Sequence, residues 1–172
     1  RGAEVHLVSG PVALEPPAGV HCYPVRSALE MKAEIDGLYG QADITIMAAA
    51  VADYHVKEIA PHKLKKSGTT LTLELEPNPD ILASLGANKH GILVGFAAET
   101  QNLKENAMSK LERKNLDLIV ANNVVKEGAG FGSDTNIVTI YTKNGAVDIP
   151  KMPKDALADV IFDYIRKQEE QI

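Results

Sequence analysis

The side chains best suited to chemistry in this chain include an acidic residue that follows an apolar run. Asp53 comes after the apolar residues 44–47 and a tract of mostly small residues, 48–52. A parallel strand of an open α/β sheet delivers its carboxyl end to the ligand crevice, so alanines followed by aspartate there are typical of a binding site. The Asp53 carboxylate could bind a ribose hydroxyl, a base amine or Mg²⁺, or it could simply cap a loop.

A second apolar run ends in the same way. Residues 92–98 are followed by Glu99, so a second strand also ends in small residues and an acid. Carboxyl ends of parallel strands meet at one edge of a sheet. The two strand ends are therefore predicted to share one pocket.

Lysines occur at two places where they could meet an anion. Lys63 stands in the run 61–66, whose ammonium groups could reach phosphate oxygens, although most such runs are simply solvated. Lys110 and Lys114 are four residues apart and share a helix face, where like charges repel unless an anion lies between them. An exposed face also explains this pair, and Lys114 also favours the helix C terminus electrostatically.

Two further segments have features of anion-binding loops. Asn78 is predicted to cap a short helix, with Pro79 and Asp80 in its first turn, and the free amides of a helix start can bind an anion. Three glycines fall in the loop 126–134, but a strand follows that loop, which argues against a dinucleotide-binding turn. A mobile flap beside the pocket is predicted instead.

Composition and motif content exclude several classes. A net charge of -5 and a pI near 5.5 argue against general binding to nucleic acid or to membrane surfaces. No histidine pairs with Cys22 at metal-ligand spacing, and no Gly-x-Ser-x-Gly elbow supports a covalent hydrolase. The lone cysteine and the lack of a leader or an apolar run of about 20 residues predict a reducing cytosol.

The hydrophobic pattern along the chain alternates between the two-residue period of strands and the longer period of helices, and these elements must position the residues above. Strands are predicted at 4–9, 20–25, 43–49, 69–76, 92–98 and 117–121, and helices at 27–39, 78 onward, 102–115 and 154–167. Ser27 and Glu30 form a capping box. Residues 137–142 and 147–149 predict a hairpin across Asn144 and Gly145, a pair suited to a type I′ turn. The 172 residues are therefore predicted to form one α/β domain with a Rossmann-like, mostly parallel sheet, helices on both faces and an antiparallel hairpin appendage.

The start of the chain suggests a preceding element. Gly2 stands just before the first strand, and glycine is the usual C′ residue of a helix. We therefore expect that a helix, with an earlier strand and turn, belongs before Arg1. An ordinary N-terminal strand is the alternative.

Seven segments in a fixed order resemble one family: LVSGPVAL at 7–14, AAAVADY at 48–54, APHKLKK at 60–66, NPDIL at 78–82, VGFAAET at 94–100, KNLDLIVANNV at 114–124 and GFGSDTN at 130–136. Together they make the chain similar to the phosphopantothenate-cysteine ligase domain of bacterial coenzyme A biosynthesis. In that family the domain is commonly the C-terminal half of a bifunctional protein, and fusion to a flavin-dependent decarboxylase domain is an open expectation for this one.

The resemblance implies a CTP-dependent ligase that uses Mg²⁺. The carboxylate of 4′-phosphopantothenate attacks the α-phosphate of CTP, giving an acyl-cytidylate and pyrophosphate, and the amine of L-cysteine then displaces CMP. The implied nucleotide site contains Met47, Ala48, Ala49, Asp53, Pro79, Asp80, Ile81, Leu82 and Phe96, with Lys63, Lys110 and Lys114 at the triphosphate or acyl phosphate. Lys63 is the implied catalytic residue, and a homodimer is expected.

One part of the family pattern is absent from the sequence. The N-terminal glycine-rich segment with its Thr-x-Glu and Asn-x-Ser-Ser-Gly elements does not occur in these 172 residues. Because that segment contributes phosphate contacts and holds the acyl intermediate, the chain alone is expected to bind CTP weakly at best and not to turn over.

Two other functions are alternatives to the ligase. A nicotinamide-dependent oxidoreductase would need a glycine-rich turn after its first strand, and this sequence lacks one. A nucleotide-binding scaffold or sensor without catalysis stays open, and it would bind CTP without needing Lys63.

Overall fold

The computed structural model describes residues 1–66, 68, 70–99, 101–123 and 133–169. The elements in chain order are β1 (His6–Ser9), β2 (His21–Pro24), α1 (Ala28–Tyr39), β3 (Ile44–Met47), β4 (Tyr54–Val56), β5 (Leu75–Pro77), α2 (Ile81–Ala87), β6 (Ile92–Glu99), α3 (Leu103–Arg113), β7 (Leu118–Asn123), β8 (Thr135–Thr142), β9 (Gly145–Pro153) and α4 (Lys154–Glu169). They fall into two compact units, Arg1–Gly37 with Ala49–Asp80 and Leu38–Ala48 with Ile81–Ile172. The single domain expected from the sequence stays a prediction.

The second unit contains a five-stranded sheet in the order β3-β6-β7-β8-β9. The pairs β3–β6 and β6–β7 are parallel, whereas β7–β8 and β8–β9 are antiparallel. The predicted α/β class with a mostly parallel central sheet is therefore confirmed, and β3, β6 and β7 are its parallel strands. The predicted antiparallel hairpin is present as β8–β9, and it is appended to the same sheet because β8 pairs directly with β7.

Helices cover both faces of this sheet. Side chains alternate across a strand, so Ile92 and Val94 point to one face of β6, where they join a core cluster with Leu157 and Ile161 of α4. The opposite face carries Gly95, where an added Cβ would lie 3.0 Å from Leu82 in α2 and 2.8 Å from Leu116, which follows α3. Burial of each such aliphatic side chain stabilises the fold by about 1.5–3 kcal/mol.

The first unit contains two small ladders, β1–β2 parallel and β4–β5 antiparallel. Helix α1 begins as the sequence predicts, since Ser27 Oγ accepts a hydrogen bond from the Glu30 N–H at 3.1 Å. The Glu30 carboxylate accepts a bond from the Arg26 N–H at 2.6 Å, one residue before the cap. The capping box is thus present with a shifted return bond, which still satisfies a backbone donor near the helix start.

The strand predicted over residues 69–76 is wrong in extent. Among the described residues 70–77 of this segment, Leu75–Pro77 alone forms a strand. Its partner β4 lies at Tyr54–Val56, where no strand was predicted. Because β4 is three residues long, the alternating pattern before Leu75 has little backbone to pair with. One further bond, from the Lys57 N–H to the Glu74 carbonyl, extends the ladder.

The short helix begins later than predicted. Helix α2 starts at Ile81, so Asn78 is not its N-cap. The Asn78 side chain instead donates to the Ala52 carbonyl at 2.8 Å, and its backbone N–H donates to the Asp53 carbonyl at 2.7 Å. These long-range bonds compete successfully with local capping.

The predicted type I′ turn is also wrong. Pairing of Thr142 with Gly145 leaves Lys143 and Asn144 as the turn residues. A type I′ turn needs positive φ at both, yet among the described non-glycine residues only Asn102 and Asn115 have it. Gly145, at φ 143°, takes the unusual backbone conformation at the start of β9 instead.

The predicted flap at 126–134 lies outside the described residues except for Ser133 and Asp134. Among the described helices, none combines the length and the apolar character that crossing a membrane requires.

Candidate functional site

The carboxyl ends of the parallel strands β3, β6 and β7 lie along one edge of the second unit's sheet. Met47, the last residue of β3, is paired with Gly95 and is half-buried, and Ala48 beyond it is exposed. β6 continues four residues further, to Glu99, in register with β7. Neighbouring strands therefore end at different heights, which leaves a stepped edge of the kind that holds ligands in open α/β sheets.

Phe96 lies on the face of β6 that α4 covers. The ring is half-buried and packs against the apolar cluster around Val94 and Ile161. Core packing is thus a sufficient structural reason for this residue, and its predicted nucleoside contact stays a prediction.

Glu99 is the centre of a polar cluster at the end of β6. Its Oε1 accepts a hydrogen bond from Lys110 Nζ at 2.6 Å, and its Oε2 accepts one from Asn106 Nδ2 at 3.0 Å. Asn106 Nδ2 also donates to the Gln101 carbonyl at 3.2 Å. Burial raises the pKa of Glu99, but the bonds from Lys110 and Asn106 outweigh burial and hold that pKa below its ordinary value. The carboxylate is therefore charged and ties α3 to β6.

This cluster changes the interpretation of the two lysines on α3. The repulsion expected between Lys110 and Lys114 is offset by Glu99, so the spacing does not require a bound anion. Lys114 is the C-cap of α3, with its backbone N–H donating to the Lys110 carbonyl at 3.0 Å. Its own carbonyl lies against α2, since a Cβ on Gly86 would approach it to 1.9 Å.

Ile81 and Leu82 serve the core of the second unit. Ile81 is 3% exposed and Leu82 is half-buried. If Ile81 contacts a ligand as the resemblance implies, its backbone is the part available for that contact.

In the first unit, two segments predicted to bind one ligand are joined. The two Asn78 bonds to Ala52 and Asp53 link the AAAVADY tract to the NPDIL turn. Antiparallel pairing of Tyr54 with Pro77 brings these segments together. The Asp53 side chain is exposed, Ala49 is exposed, and Pro79 and Asp80 follow as half-buried and exposed residues.

Lys63 lies in the irregular segment between β4 and β5. It is exposed, as are its neighbours Lys65 and Lys66. No regular element fixes its position, so its predicted catalytic role stays a prediction.

Metal binding by side chains alone finds little support in the described part of the chain. Across residues 1–66, 70–99, 101–123 and 133–169, no three histidine, cysteine or carboxylate side chains converge as a metal site. Single carboxylates such as Asp53 are exposed and could complete the coordination of an ion that arrives with a phosphate ligand.

Glu99 lies at the strand end that the sequence predicts to share the pocket, whereas Asn106 is a polar residue of this cluster that was not predicted. A signal for Asn106 existed, because Asn106 and Lys110 are four residues apart on one helix and so face the same way. The sequence alone does not show that the face of α3 with Asn106 and Lys110 lies over the end of β6.

Comparison with known proteins gives a consistent result. The model of a family described as "DNA/pantothenate metabolism flavoprotein C-terminal domain" matches residues 1–168. The coenzyme A biosynthesis bifunctional protein CoaBC of Bacillus subtilis is 49% identical over 169 residues, which cover 96% of this chain and 41% of that protein. The chain therefore spans about two fifths of the length of this curated relative.

Two solved structures share the fold. The crystal structure of the C-terminal domain of a CoaBC protein has a TM-score of 0.83 and 39% identity, covering 99% of this chain and 77% of that one. A Cab2 mutant in complex with phosphopantothenate-cysteine has a TM-score of 0.66 at 17% identity, covering 88% of this chain and 56% of that one. The second likeness shows the fold alone.

Proposed function

Because the chain belongs to the DNA/pantothenate metabolism flavoprotein C-terminal domain family, we propose that it is the phosphopantothenate-cysteine ligase part of a coenzyme A biosynthesis protein. The observation that carries this proposal is the family match over residues 1–168, together with 49% identity to a coenzyme A biosynthesis protein. The stepped edge formed by β3, β6 and β7 supports it, since nucleotides bind at the carboxyl ends of parallel strands.

The proposed reaction joins 4′-phosphopantothenate to L-cysteine with CTP. The substrate carboxylate attacks the α-phosphate and pyrophosphate leaves, and the cysteine amine then attacks the acyl carbon and releases CMP. Transfers of this kind depend on positioning and on cations that stabilise developing charge. In this chain the cations that could do so are Lys63, Lys110 and Lys114.

The proposed cytidine site uses small residues and turns. Met47, Ala48 and Ala49 would let the nucleoside approach the backbone, and Asp53 would accept hydrogen bonds from it. The turn of Pro79 and Asp80 with Ile81, Leu82 and Phe96 would complete the site, although Phe96 and Ile81 also serve the core.

Mg²⁺ is proposed to accompany the triphosphate. This ion keeps several waters and binds through substrate phosphates together with one or two carboxylates. When bound, Mg²⁺ would neutralise phosphate charge.

A homodimer in the cytosol is proposed on the family resemblance. Fusion to a flavin-dependent decarboxylase domain is proposed because the matched relative is named bifunctional and is more than twice as long as this chain.

The test is calorimetric titration with CTP and with ATP, each in Mg²⁺. It compares the 172-residue chain with a version extended by its natural preceding segment. We expect selective binding of CTP that strengthens with the extension, and turnover only in the extended form. Robust turnover by the 172 residues alone would contradict the expectation that they are inactive, and no binding of CTP by either form would overturn the proposal.

Variants of the extended protein separate a ligase from a non-catalytic CTP sensor. We expect Lys63→Gln to leave folding intact and to slow acyl-cytidylate formation, whereas Lys65→Gln, an exposed control in the same run, leaves the rate unchanged. Equal rates for Lys63→Gln and the parent would remove Lys63 from the mechanism. Binding of CTP without product formation in the extended parent would favour a sensor.

A further inference from the structure

Glu99 places a negative charge beside a lysine proposed to bind phosphate. Its side chain is 17% exposed and that of Lys110 is 33% exposed, so the pair is shielded from water more than an ordinary surface ion pair. A carboxylate close to a phosphate site repels the ligand, so a compensating task is needed to explain its position. The geometry indicates what that task is.

Two residues of one helix face hold both oxygens of this carboxylate. Asn106 fixes Oε2 at 3.0 Å and Lys110 bonds Oε1 at 2.6 Å, while Asn106 is itself tied to the Gln101 carbonyl. Glu99 ends a strand in which residues 92–95 and 97 are buried, and it is paired in register with β7, so its backbone is held by the sheet. The carboxylate is thus a fixed anchor.

Lys110 is the partner whose position depends on this pair. A lysine side chain has a flexible stem of four carbons joined by rotatable bonds, and its ammonium carries three N–H donors. An unanchored Lys110 ammonium would therefore sample many positions. Glu99 uses one of these donors in the structure, which leaves two that could meet phosphate oxygens. Anchoring before ligand binding lowers the entropy lost on binding.

We propose that Glu99 is a positioning residue that holds Lys110 at the carboxyl end of β6 for contact with the nucleotide phosphates. This inference rests on the proposed function. It explains an acid among basic residues, since the benefit of a fixed ammonium exceeds the repulsion from a carboxylate that Lys110 and Asn106 already satisfy.

The experiment measures kcat and the KM for CTP in the full-length protein and its variants. We expect Glu99→Ala to raise the KM for CTP about tenfold with a smaller change in kcat, as for loss of one charge-assisted hydrogen bond. Glu99→Gln should have an intermediate KM, because its amide oxygen still accepts a bond from Lys110. Glu112→Ala, an exposed acid on the same helix, serves as the control and should match the parent.

A double-mutant cycle tests the route of the effect. Lys110→Met should raise the KM for CTP at least as much as Glu99→Ala, and the combination should be no worse than Lys110→Met alone. Additive effects, or an unchanged or lowered KM in Glu99→Ala while Lys110→Met is impaired, would overturn the positioning role. If Glu99→Ala fails to fold, the same comparison is made with Glu99→Gln.

Failure of the proposed function has a different signature. A parent protein whose turnover does not depend on CTP would overturn the ligase proposal and the role of Glu99 together. A CTP-dependent parent with a normal Lys110→Met variant would remove Lys110 from the site, and Glu99 with it, while leaving the ligase proposal intact.

Discussion

Glu99 stays charged at the end of β6 although most of its side chain is buried. Burial by itself disfavours a carboxylate, but hydrogen bonds from Lys110 and Asn106 stabilise the ionised form more strongly. The same residue could therefore contribute to stability and to the position of Lys110. These two contributions respond differently to pH and to ligand, so they can be measured separately.

The lowered pKa of Glu99 predicts a defined dependence of stability on pH. A depressed folded-state pKa gives stability that is fully present above the unfolded-state pKa, near 4.5, and is lost as pH falls through the folded value. At neutral pH, Glu99→Gln should lower the free energy of unfolding by about 1 kcal/mol, given partial solvent screening. Urea unfolding of parent and variant between about pH 7 and pH 3 measures the difference.

The pH dependence of that difference in unfolding free energy is the critical result. It should shrink as pH falls, because protonated Glu99 in the parent no longer differs in charge from glutamine. A difference that stays constant across the series would mean that the charge of Glu99 contributes nothing to stability.

At the scale of elements, α2 approaches the end of α3 without room for a side chain. A Cβ on Gly86 would lie 1.9 Å from the Lys114 carbonyl oxygen, and Asn115 Nδ2 donates to the Gly86 carbonyl at 3.1 Å. Glycine in a helix costs about 0.5–1 kcal/mol relative to alanine. Glycine is nevertheless required at position 86, because its backbone is in direct contact with the backbone of Lys114.

Gly86→Ala is therefore expected to destabilise the protein by at least about 2 kcal/mol, since backbone atoms must move to relieve the clash. Gly37→Ala in α1 is the matched control, because an added Cβ there has nothing within 4 Å, and it should stabilise by about 0.5–1 kcal/mol. Thermal or urea unfolding of both variants gives the comparison. Stabilisation by both substitutions would show that the contact between α2 and Lys114 yields easily.

At the scale of the whole molecule, the buried apolar side chains are distributed unequally between the two units. Among the described residues, the first unit buries the apolar side chains Val25, Met31 and Ile35, whereas the second buries residues 92–95 and 97 of β6 and residues 118–121 of β7. The ladders of the first unit are also short, with four residues in β1 and three in β4. Two-stranded ladders are marginal without further packing.

We expect native-state hydrogen exchange to follow this distribution. Amides of β6 and β7 should exchange slowest, near the rate set by global unfolding, and amides of β4 and β5 should exchange much faster. The measurement is exchange monitored residue by residue in the absence of ligand. Uniform protection across both units would contradict the unequal distribution of the core.

The sequence by itself determined the class of fold and most of its elements. Alternating apolar periods located β3, β6, α3 and α4 to within a few residues, because burial repeats every second residue in strands and every third or fourth in helices. Local chemistry also identified the start of α1, where Ser27 meets the Glu30 amide. The ordered motifs identified the family, which the match over residues 1–168 confirms.

Only the tertiary structure decided features that depend on residues far apart in the chain. Asn78 hydrogen-bonds to the carbonyls of Ala52 and Asp53 instead of capping α2, and Lys110 of α3 donates to Glu99 at the end of β6. The β8–β9 hairpin joins the central sheet through β7. Such partners are selected by the packing of whole elements, so a pattern with a period of two to four residues cannot specify them.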